Sequence, residues 1–359
     1  MGKAVIEVEG LTKRFGDFVA LADVSFHVSE GEFVTLLGAS GCGKSTTLRI
    51  IAGYLQQTSG RVYIDSEEIS GLPPQKRNIG MVFQNYALFP HLTVRENIAF
   101  GLKVRRRPTA EIKARVDELL AITALGGFGE RRPHQLSGGM QQRVALARAL
   151  AFHPRILLMD EPLGALDVKL RKSMQAELKR LQRELGVTTI YVTHDQEEAL
   201  SMSDRLVVMN AGRTAQIGTS EEVYLRPNST FVADFVGTSN LLRGGVVDGV
   251  GSTACRVRVG QATVVAPEVP HAAELGSVFV LRPEFVHIVS RSSSVPEPNR
   301  FEGTVSSVTF MGSWARVTVD VPALECALVA HAPGGKWREG DSVTVWWSAD
   351  ALVPTRDGV

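Results

Sequence analysis

The feature that most constrains this fold is a glycine-rich segment, Gly38–Ser45, whose sequence GASGCGKS fits the pattern G-x-x-x-x-G-K-[ST]. It follows the apolar run 33–37 and precedes the helix-like segment 46–51, so the predicted order is strand, loop, helix. Glycines let the backbone bend until consecutive N–H groups point into one concavity, where the helix N-terminus adds partial positive charge. The segment is therefore a predicted binding loop for nucleotide phosphates, and a chance glycine-rich turn is the disfavoured alternative.

The side chains of this loop suit a phosphate site. Lys44 is long enough to reach the β- and γ-phosphates, and the Ser45 hydroxyl is a suitable Mg²⁺ ligand. Because the field at a helix terminus lowers the pKa of a thiol, Cys42 is a candidate reactive cysteine, with an inert small residue as the alternative. The predicted nucleotide-binding residues here are Gly38, Ala39, Ser40, Gly41, Cys42, Gly43, Lys44, Ser45 and Thr46.

Length and composition limit the remaining possibilities. At 359 residues the chain is long enough for about two or three domains, and 44% hydrophobic with 21% charged residues is typical of a soluble globular protein. The formal net charge of +1 gives no electrostatic reason to expect nucleic acid as a partner. No apolar run reaches the about 18 residues of a membrane span, and the first residues lack a signal-peptide pattern. A cytosolic protein with three reduced cysteines is expected.

Polar residues follow three further strand patterns of apolar residues. Asp160 ends one of them and can hold Mg²⁺ through water, while the adjacent Glu161 can polarise an attacking water. Gln84 ends another, where its amide oxygen can ligate Mg²⁺ or orient water, with a strand-end cap as the alternative. His194 follows the third and is a candidate γ-phosphate contact, although a lone histidine is more often structural.

Two more segments are candidate nucleotide contacts. Phe15 lies in a turn between two alternating strand patterns, and its ring face suits a planar base, although a core position is the alternative. Further along, Ser137 can cap a helix whose first turn contains Gly138 and Gly139, so that the first N–H groups stay uncovered. This is a second predicted anion-binding helix terminus.

The rest of the chain shows three broader patterns. The segment Asn85–Val94 is unusually apolar and aromatic for a stretch that contains Pro90, and we interpret it as an exposed docking patch. The pattern from 93 to 152 is helical. Past 240, short alternating strands predict a small β-barrel with a loop at 291–298.

These motifs occur in the order found in ATP-binding-cassette transporter ATPases, and the chain resembles that family continuously over about 5–242. The resemblance implies an α/β P-loop NTPase with a RecA-like core at 1–236 and a helical subdomain at about 88–153. A linker at 237–242 would lead to a small all-β barrel of OB or TOBE type at 243–359.

The same resemblance assigns roles to residues. It makes Glu161 the catalytic base, His194 the switch histidine and Gln84 the Q-loop residue. The implied Mg²⁺ ligands are Ser45, Gln84 and Asp160. Phe15 would stack on adenine, and Ser137, Gly138 and Gly139 would face the γ-phosphate from the signature motif at 136–143, where Met140 replaces the usual Gln. Residues 166–167 resemble the end of the D-loop.

The resemblance also implies partners. Cassettes of this family close head to tail, so one set of motifs in one chain implies a homodimer with each ATP between one copy's P-loop and the other's signature helix. Two membrane permease subunits would dock near Tyr86–Val94, and a solute-binding protein would act indirectly. Such an ATPase works at the cytoplasmic face of the plasma membrane.

Residues in the barrel and near the end of the ATPase domain indicate which class of transporter the chain resembles. Leu281–Glu284 resembles the barrel of maltose and polyamine importers, which binds small oxyanions or regulators or only stabilises the dimer. The segments 161–167 and 235–240 are most similar to spermidine/putrescine importer ATPases. Ferric-iron, phosphonate and sugar importers share nearly all of these residues and are alternatives, as is a soluble ABC ATPase without a transport role.

Overall fold

The computed structural model describes residues 4–164, 166–250, 254–267, 278–291 and 296–356. By its internal contacts the chain divides into two compact units, Met1–Ser220 and Glu221–Val359. The α-helices of the described residues are α1 (Lys44–Ala52), α2 (Val94–Val104), α3 (Thr109–Ile122), α4 (Gly138–Leu150), α5 (Val168–Leu185), α6 (Gln196–Met202), α7 (Ser220–Leu225) and α8 (Thr230–Phe235).

The strands of the first unit alternate with its helices along the chain. They are β1 (Ala4–Phe15), β2 (Phe18–Ser29), β3 (Phe33–Leu37), β4 (Ser59–Ile64), β5 (Glu67–Glu68), β6 (Ile79–Val82), β7 (Ile156–Asp160), β8 (Thr188–Thr193), β9 (Arg205–Asn210) and β10 (Arg213–Gly218). The strands of the second unit follow one another with short connections. They are β11 (Asn240–Val250), β12 (Ala254–Val259), β13 (Ala262–Pro267), β14 (Val278–Leu281), β15 (His287–Ser290), β16 (Asn299–Phe310), β17 (Trp314–Val321), β18 (Cys326–Pro333), β19 (Ser342–Trp347) and β20 (Leu352–Thr355).

The central sheet of the first unit has the strand order β10-β9-β3-β8-β7-β6 and is parallel except at β10. Every residue of β3, β7 and β8 is buried, as is typical of parallel strands covered on both faces. Because these strands run in one direction, the segments that follow β3, β8, β7 and β6 leave from the same edge of the sheet. That edge holds the candidate site.

The first strands of the chain form a smaller antiparallel sheet with the order β2-β1-β4-β5. The β1–β2 hairpin turns tightly, so Phe15 lies opposite Phe18 at its tip. Side chains from both sheets and α1 form one apolar cluster that includes Ile6, Leu36 and Leu48, each fully buried. Burial of such a side chain contributes about 1.5–3 kcal/mol, so this cluster holds α1 and the loop before it against the sheet.

Helices α2, α3 and α4 form a separate layer, in agreement with the helical pattern predicted for 93–152. Thr93 starts α2 with a capping box, in which its hydroxyl accepts from the Glu96 N–H at 3.2 Å and the Glu96 carboxylate accepts from the Thr93 N–H at 2.8 Å. Apolar faces of the three helices meet at Ile98, Leu119 and Val144, all fully buried.

The second unit contains two antiparallel sheets with the orders β13-β12-β11-β14-β20 and β15-β19-β16-β17-β18. Two buried asparagines link them. Asn240 on β11 accepts from the Val329 N–H at 2.7 Å and donates to its carbonyl at 2.9 Å. Asn299 on β16 makes the same pair of bonds to Val265 on β13, at 2.7 and 2.8 Å. The side chains thus replace a backbone pairing between sheets, and the predicted all-β domain is confirmed.

One local prediction is wrong. Gln84 does not end a strand, because β6 stops at Val82 and Gln84 lies exposed in the turn that follows. In the segment 85–94, Tyr86 and Val94 are buried, at 6% and 0% exposed, and pack into the helical core. The residues between them are exposed or half-buried, so the docking patch stays a prediction.

The predicted boundary between the ATPase domain and the barrel, at 236–243, stays a prediction. Residues 292–295 of the predicted loop lie outside the described residues. In the described part of the chain, no helix is both long and apolar enough to cross a membrane.

Candidate active site

The predicted phosphate loop has a backbone that only glycine adopts easily. Gly41 and Gly43 have φ angles of 82° and 104°, and Gly43 takes the N-cap position of α1. A Cβ on Gly38 would overlap the Cys42 sulfur and lie 2.5 Å from the Met209 carbonyl oxygen. The glycines therefore allow both the bend of the loop and its close packing on the neighbouring strand β9.

Lys44 is held inside this loop. Its side chain is 5% exposed, and its ammonium group donates to the carbonyl oxygens of Gly38 at 2.7 Å and Ala39 at 2.9 Å. A buried ammonium group needs such partners, because burying a charge without them is very unfavourable. The positive charge thus lies at the centre of the concavity, while Ala39, Ser40 and Gly41 are exposed at its rim.

The loop meets the end of β7 through one short hydrogen bond. The Ser45 hydroxyl donates to Asp160 Oδ1 at 2.8 Å, and Asp160 is only 4% exposed. The Arg49 guanidinium lies 3.9 Å from the other oxygen of the same carboxylate. Arg49 was not predicted, although its position one helical turn after Ser45 places both on one face of α1.

Glu161 contacts two of the other predicted polar residues. Gln84 Nε2 donates to Glu161 Oε2 at 3.4 Å, and His194 Nδ1 lies 3.2 Å from Glu161 Oε1. The backbone of Glu161 has a φ of 44°, which is rare for a residue with a side chain, and its N–H donates to the Val192 carbonyl on β8 at 3.0 Å. The strand-end residues predicted separately therefore form one cluster.

Phe15 is not a core residue. Its ring is 50% exposed at the tip of the β1–β2 hairpin, and the Lys13 ammonium lies 4.9 Å from the ring centre. Phe18, which was not predicted, lies opposite and is 65% exposed. Two exposed aromatic rings on one hairpin provide an apolar face for a planar group.

The second predicted anion site also has the predicted cap. The Ser137 hydroxyl accepts from the Met140 N–H at 3.4 Å, and both Ser137 and Gly138 are exposed at the start of α4. A Cβ on Gly139 would lie 3.1 Å from a methyl group of Leu170, so glycine allows α4 to pack closely on α5. The neighbours of these residues are Met140 on α4, Leu166 just before α5 and Leu170 on α5, and none of them belongs to the phosphate loop.

Arg148 on α4 is a contact that the sequence analysis missed. Its guanidinium donates to the carbonyl oxygens of Tyr86 at 2.8 Å and Ala87 at 2.7 Å, both of which have positive φ angles. Burial lowers the pKa of Arg148. The segment that follows Gln84 is therefore fixed to the helix that begins at Ser137, and an arginine inside an otherwise apolar helix face was the available signal.

The prediction of a reactive Cys42 with a lowered pKa is wrong. The residue is 5% exposed, and burial raises the pKa of its thiol despite the opposing effect of Lys44. The three cysteines are free, as predicted.

Comparison with known proteins agrees with this geometry. A profile of the ABC transporter family matches residues 21–164, and a TOBE domain profile matches 279–354. The chain is 50% identical over 303 residues to the spermidine/putrescine import ATP-binding protein PotA of Thermobifida fusca, covering 84% of this chain and 78% of that protein. It is 47% identical over 346 residues to the PotA of Acidothermus cellulolyticus, covering 94% and 89% of the two chains.

A third relative is similar over nearly the whole length. The PotA of Bacillus thuringiensis (strain Al Hakam) is 45% identical over 357 residues, which is 98% of this chain and 99% of that protein. Among solved structures, the dimeric post-hydrolysis state of the ATP-binding cassette MJ0796 bound to ADP and Pi is similar. It has a TM-score of 0.54 and 38% identity, and it covers 60% of this chain and 98% of that one.

Proposed function

The chain belongs to the ABC transporter family, and from that premise we propose that it drives the uptake of polyamines such as spermidine and putrescine. It is an ATPase with a P-loop NTPase fold and a C-terminal TOBE domain. The proposed solute is supported by relatives named for spermidine/putrescine import, which are 45–50% identical over most of this chain. The ATPase itself touches no solute, so ancestry is the basis of this part of the proposal.

ATP binds at the phosphate loop in this proposal. The backbone N–H groups of 38–46 and the Lys44 ammonium hold the phosphates, because this charge is already concentrated at the loop centre. Phe15 stacks on the adenine, and its exposed ring at the hairpin tip supports that role.

The oxygens at the end of β7 fit a magnesium ion. Ser45 Oγ and Asp160 Oδ1 are 2.8 Å apart, and hydroxyl and carboxylate oxygens are the ligands that Mg²⁺ prefers. Ser45, Asp160 and the amide oxygen of Gln84 would hold the ion together with phosphate oxygens. When bound, Mg²⁺ neutralises negative charge on the phosphates.

Glu161 is the proposed catalytic base, and its contacts are the single observation that carries the mechanism. Its two carboxylate oxygens face Gln84 at 3.4 Å and His194 at 3.2 Å, so one oxygen is oriented from each side. In this position Glu161 accepts a proton from the attacking water, Gln84 orients that water, and His194 contacts the γ-phosphate.

We propose a homodimer because the signature residues at the start of α4 do not contact the phosphate loop of their own chain. Ser137 and Gly138 are exposed at the start of α4, beside the buried Gly139, and the first N–H groups of this helix suit the γ-phosphate of an ATP held by a second copy. A dimeric neighbour of 38% identity supports this arrangement. Two membrane permeases dock near 86–94, which places the protein at the cytoplasmic face of the membrane, and a solute-binding protein acts through them.

The test replaces Glu161 by Gln in the full chain, with Glu184→Gln as the matched control. Glu184 is an exposed residue of α5 that pairs with Arg180, so its loss removes a carboxylate away from the site. We expect Glu161→Gln to reduce the ATPase rate by about 10²–10⁴-fold while ATP still binds, because the shape is kept and the base is lost. Near-normal hydrolysis would remove Glu161 from the catalytic role.

The solute is tested in cells that express the permeases of the same transporter. Uptake of labelled spermidine should require the wild-type chain and fail with Glu161→Gln. If the chain supports uptake of ferric iron, a phosphonate or maltose instead of spermidine, the polyamine assignment is wrong while the ATPase assignment stands.

A further inference from the structure

Arg171, in the first turn of α5, contacts two segments that border the candidate site. Its Nη2 donates to the Leu166 carbonyl oxygen at 3.1 Å, and its Nη1 donates to Asp195 Oδ2 at 3.3 Å. Its Nε faces Glu198 Oε1 at 4.0 Å. One guanidinium group thus joins the chain a few residues after Glu161 to the chain directly after His194.

The acidic side of this contact is itself firmly held. Asp195 caps α6 by accepting from the Glu198 N–H at 3.1 Å, and its own N–H donates to the Thr193 hydroxyl at 3.0 Å. Glu198, which is 3% exposed, accepts from the Tyr191 hydroxyl and the Thr193 hydroxyl, each at 2.8 Å. Burial, and then the Glu198 charge, raise the pKa of Tyr191, so the phenol stays a donor. The turn that presents His194 therefore cannot tilt without breaking several buried bonds.

The other side is the segment between Glu161 and α5. Asp167 caps α5 by accepting from the Leu170 N–H at 2.9 Å, and the Leu166 N–H donates to the Leu163 carbonyl at 3.1 Å. The Arg171 guanidinium therefore links the Leu166 carbonyl oxygen to Asp195 in the His194 turn. The Arg171 side chain is 27% exposed and Asp195 is 29% exposed, so solvent screens their pairing only in part.

We propose that Arg171 is a positioning residue for ATP hydrolysis, which fixes the His194 turn relative to the segment after Glu161. The inference rests on the proposed roles of Glu161 and His194 and adds a residue that touches neither of them nor the nucleotide. Arg171 holds the segment after Glu161 against the His194 turn, and its loss lets that segment shift and the 3.2 Å contact between Glu161 and His194 open. A displacement of about 1 Å in a catalytic group lowers turnover strongly even when binding is unchanged.

The experiment uses the full chain and compares variants by kcat and KM for MgATP. Arg171→Ala removes all three contacts, and Arg171→Lys keeps the charge without the planar fork. Asp195→Asn removes the charge and keeps a side-chain oxygen that caps α6. Arg180→Ala is the control, because Arg180 lies on the same helix and pairs with Glu184 at the exposed face. Thermal melting shows whether each variant is folded, and the stoichiometry of nucleotide binding gives the fraction of active sites that bind nucleotide.

We expect Arg171→Ala to lower kcat by about tenfold or more and to change KM by less than about twofold. Arg171→Lys should restore part of the rate, and Arg180→Ala should match the wild type. Asp195→Asn in the Arg171→Ala background should cause little further loss of kcat, since both substitutions break the same Arg171–Asp195 contact.

Three results would overturn the proposal. If Glu161→Gln abolishes turnover while Arg171→Ala retains kcat, the proposed function stands and the role of Arg171 is refuted. If Arg171→Ala loses folded, nucleotide-binding sites in proportion to activity, Arg171 is a structural residue only. If Glu161→Gln itself hydrolyses ATP normally, the proposed role of Glu161 fails, and the positioning role of Arg171, which rests on it, fails with it.

Discussion

Two glycines of the phosphate loop offer a matched pair for separating backbone strain from packing. Gly41 and Gly43 both have positive φ angles, 82° and 104°, so alanine is strained at either position by about 1–2 kcal/mol. Alanine also reduces the freedom of the unfolded chain by a similar amount in both variants, so this effect cancels in the comparison.

The surroundings of the two glycines differ. A Cβ at Gly41 would meet no atom within 4 Å, whereas one at Gly43 would lie 2.5 Å from a Leu21 methyl group and 2.9 Å from the Ala20 carbonyl oxygen. The methyl group can move, but the backbone oxygen cannot move without shifting β2. Overpacking of this kind destabilises by about 1–3 kcal/mol, so Gly43→Ala should be less stable than Gly41→Ala by that amount.

The assay can observe each unit of the chain separately. The four tryptophans all lie at 314–347 in the second unit, while α1 to α6 belong to the first. Thermal unfolding followed by far-ultraviolet circular dichroism should give Gly43→Ala a first-unit Tm about 2–12 °C below that of Gly41→Ala, since each kcal/mol shifts Tm by about 2–4 °C. The tryptophan transition should not move. Equal Tm values for the two variants would refute the packing argument.

Two further predictions follow from titratable groups. Burial raises the pKa of both Cys42 and Cys326, but Cys42 is 5% exposed whereas Cys326 is partly exposed. In the native protein N-ethylmaleimide should therefore label Cys42 more slowly than Cys326, and a faster reaction at Cys42 would contradict its burial. Burial, with the Glu284 hydrogen bond of 2.7 Å, raises the pKa of Tyr224 to about 12 from 10.0. Because the folded state holds this proton more tightly, its stabilising effect is complete below pH 10.0 and is lost as the pH rises to about 12. Urea unfolding should show this loss in the second unit, and Tyr224→Phe should reduce the slope.

The parts of the site that are local in sequence could be predicted. The strand, loop and helix at 33–52 are consecutive in the sequence, so their order can be predicted without knowledge of distant contacts, and the phosphate loop and α1 lie where they were predicted. Glu161 and His194 could also be placed, because each follows a buried strand and parallel strands end at one edge of a sheet. Gln84 reached the same cluster from a turn instead of a strand end, since contact depends on the edge and not on the last strand residue.

The parts that depend on distant partners could not be predicted. The burial of Cys42 requires the approach of the turn between β9 and β10, where the Gly212 N–H donates to the Cys42 carbonyl at 3.1 Å. Arg171 lies on a helix whose sequence pattern favours solvent exposure for charged residues, yet it donates to a backbone carbonyl of another segment. The apolar face around Arg148 indicated a buried cation, but not that its partners are the carbonyls of Tyr86 and Ala87. A sequence shows that a cation is present, but only the fold shows which carbonyl oxygens lie within its reach.

The long-range hydrogen bonds of the second unit have a consequence for synthesis of the chain. Asn240 must wait for Val329, which is 89 positions later, and β14 must wait for β20 at Leu352–Thr355. The first unit has all its strands once β10 is made, so the ribosome completes one unit well before the other can close. A chain that stops short of β20 leaves β14 as an open edge strand that can pair with another molecule. Loss of the last few residues would therefore lead to aggregation of a protein whose ATP site is already folded.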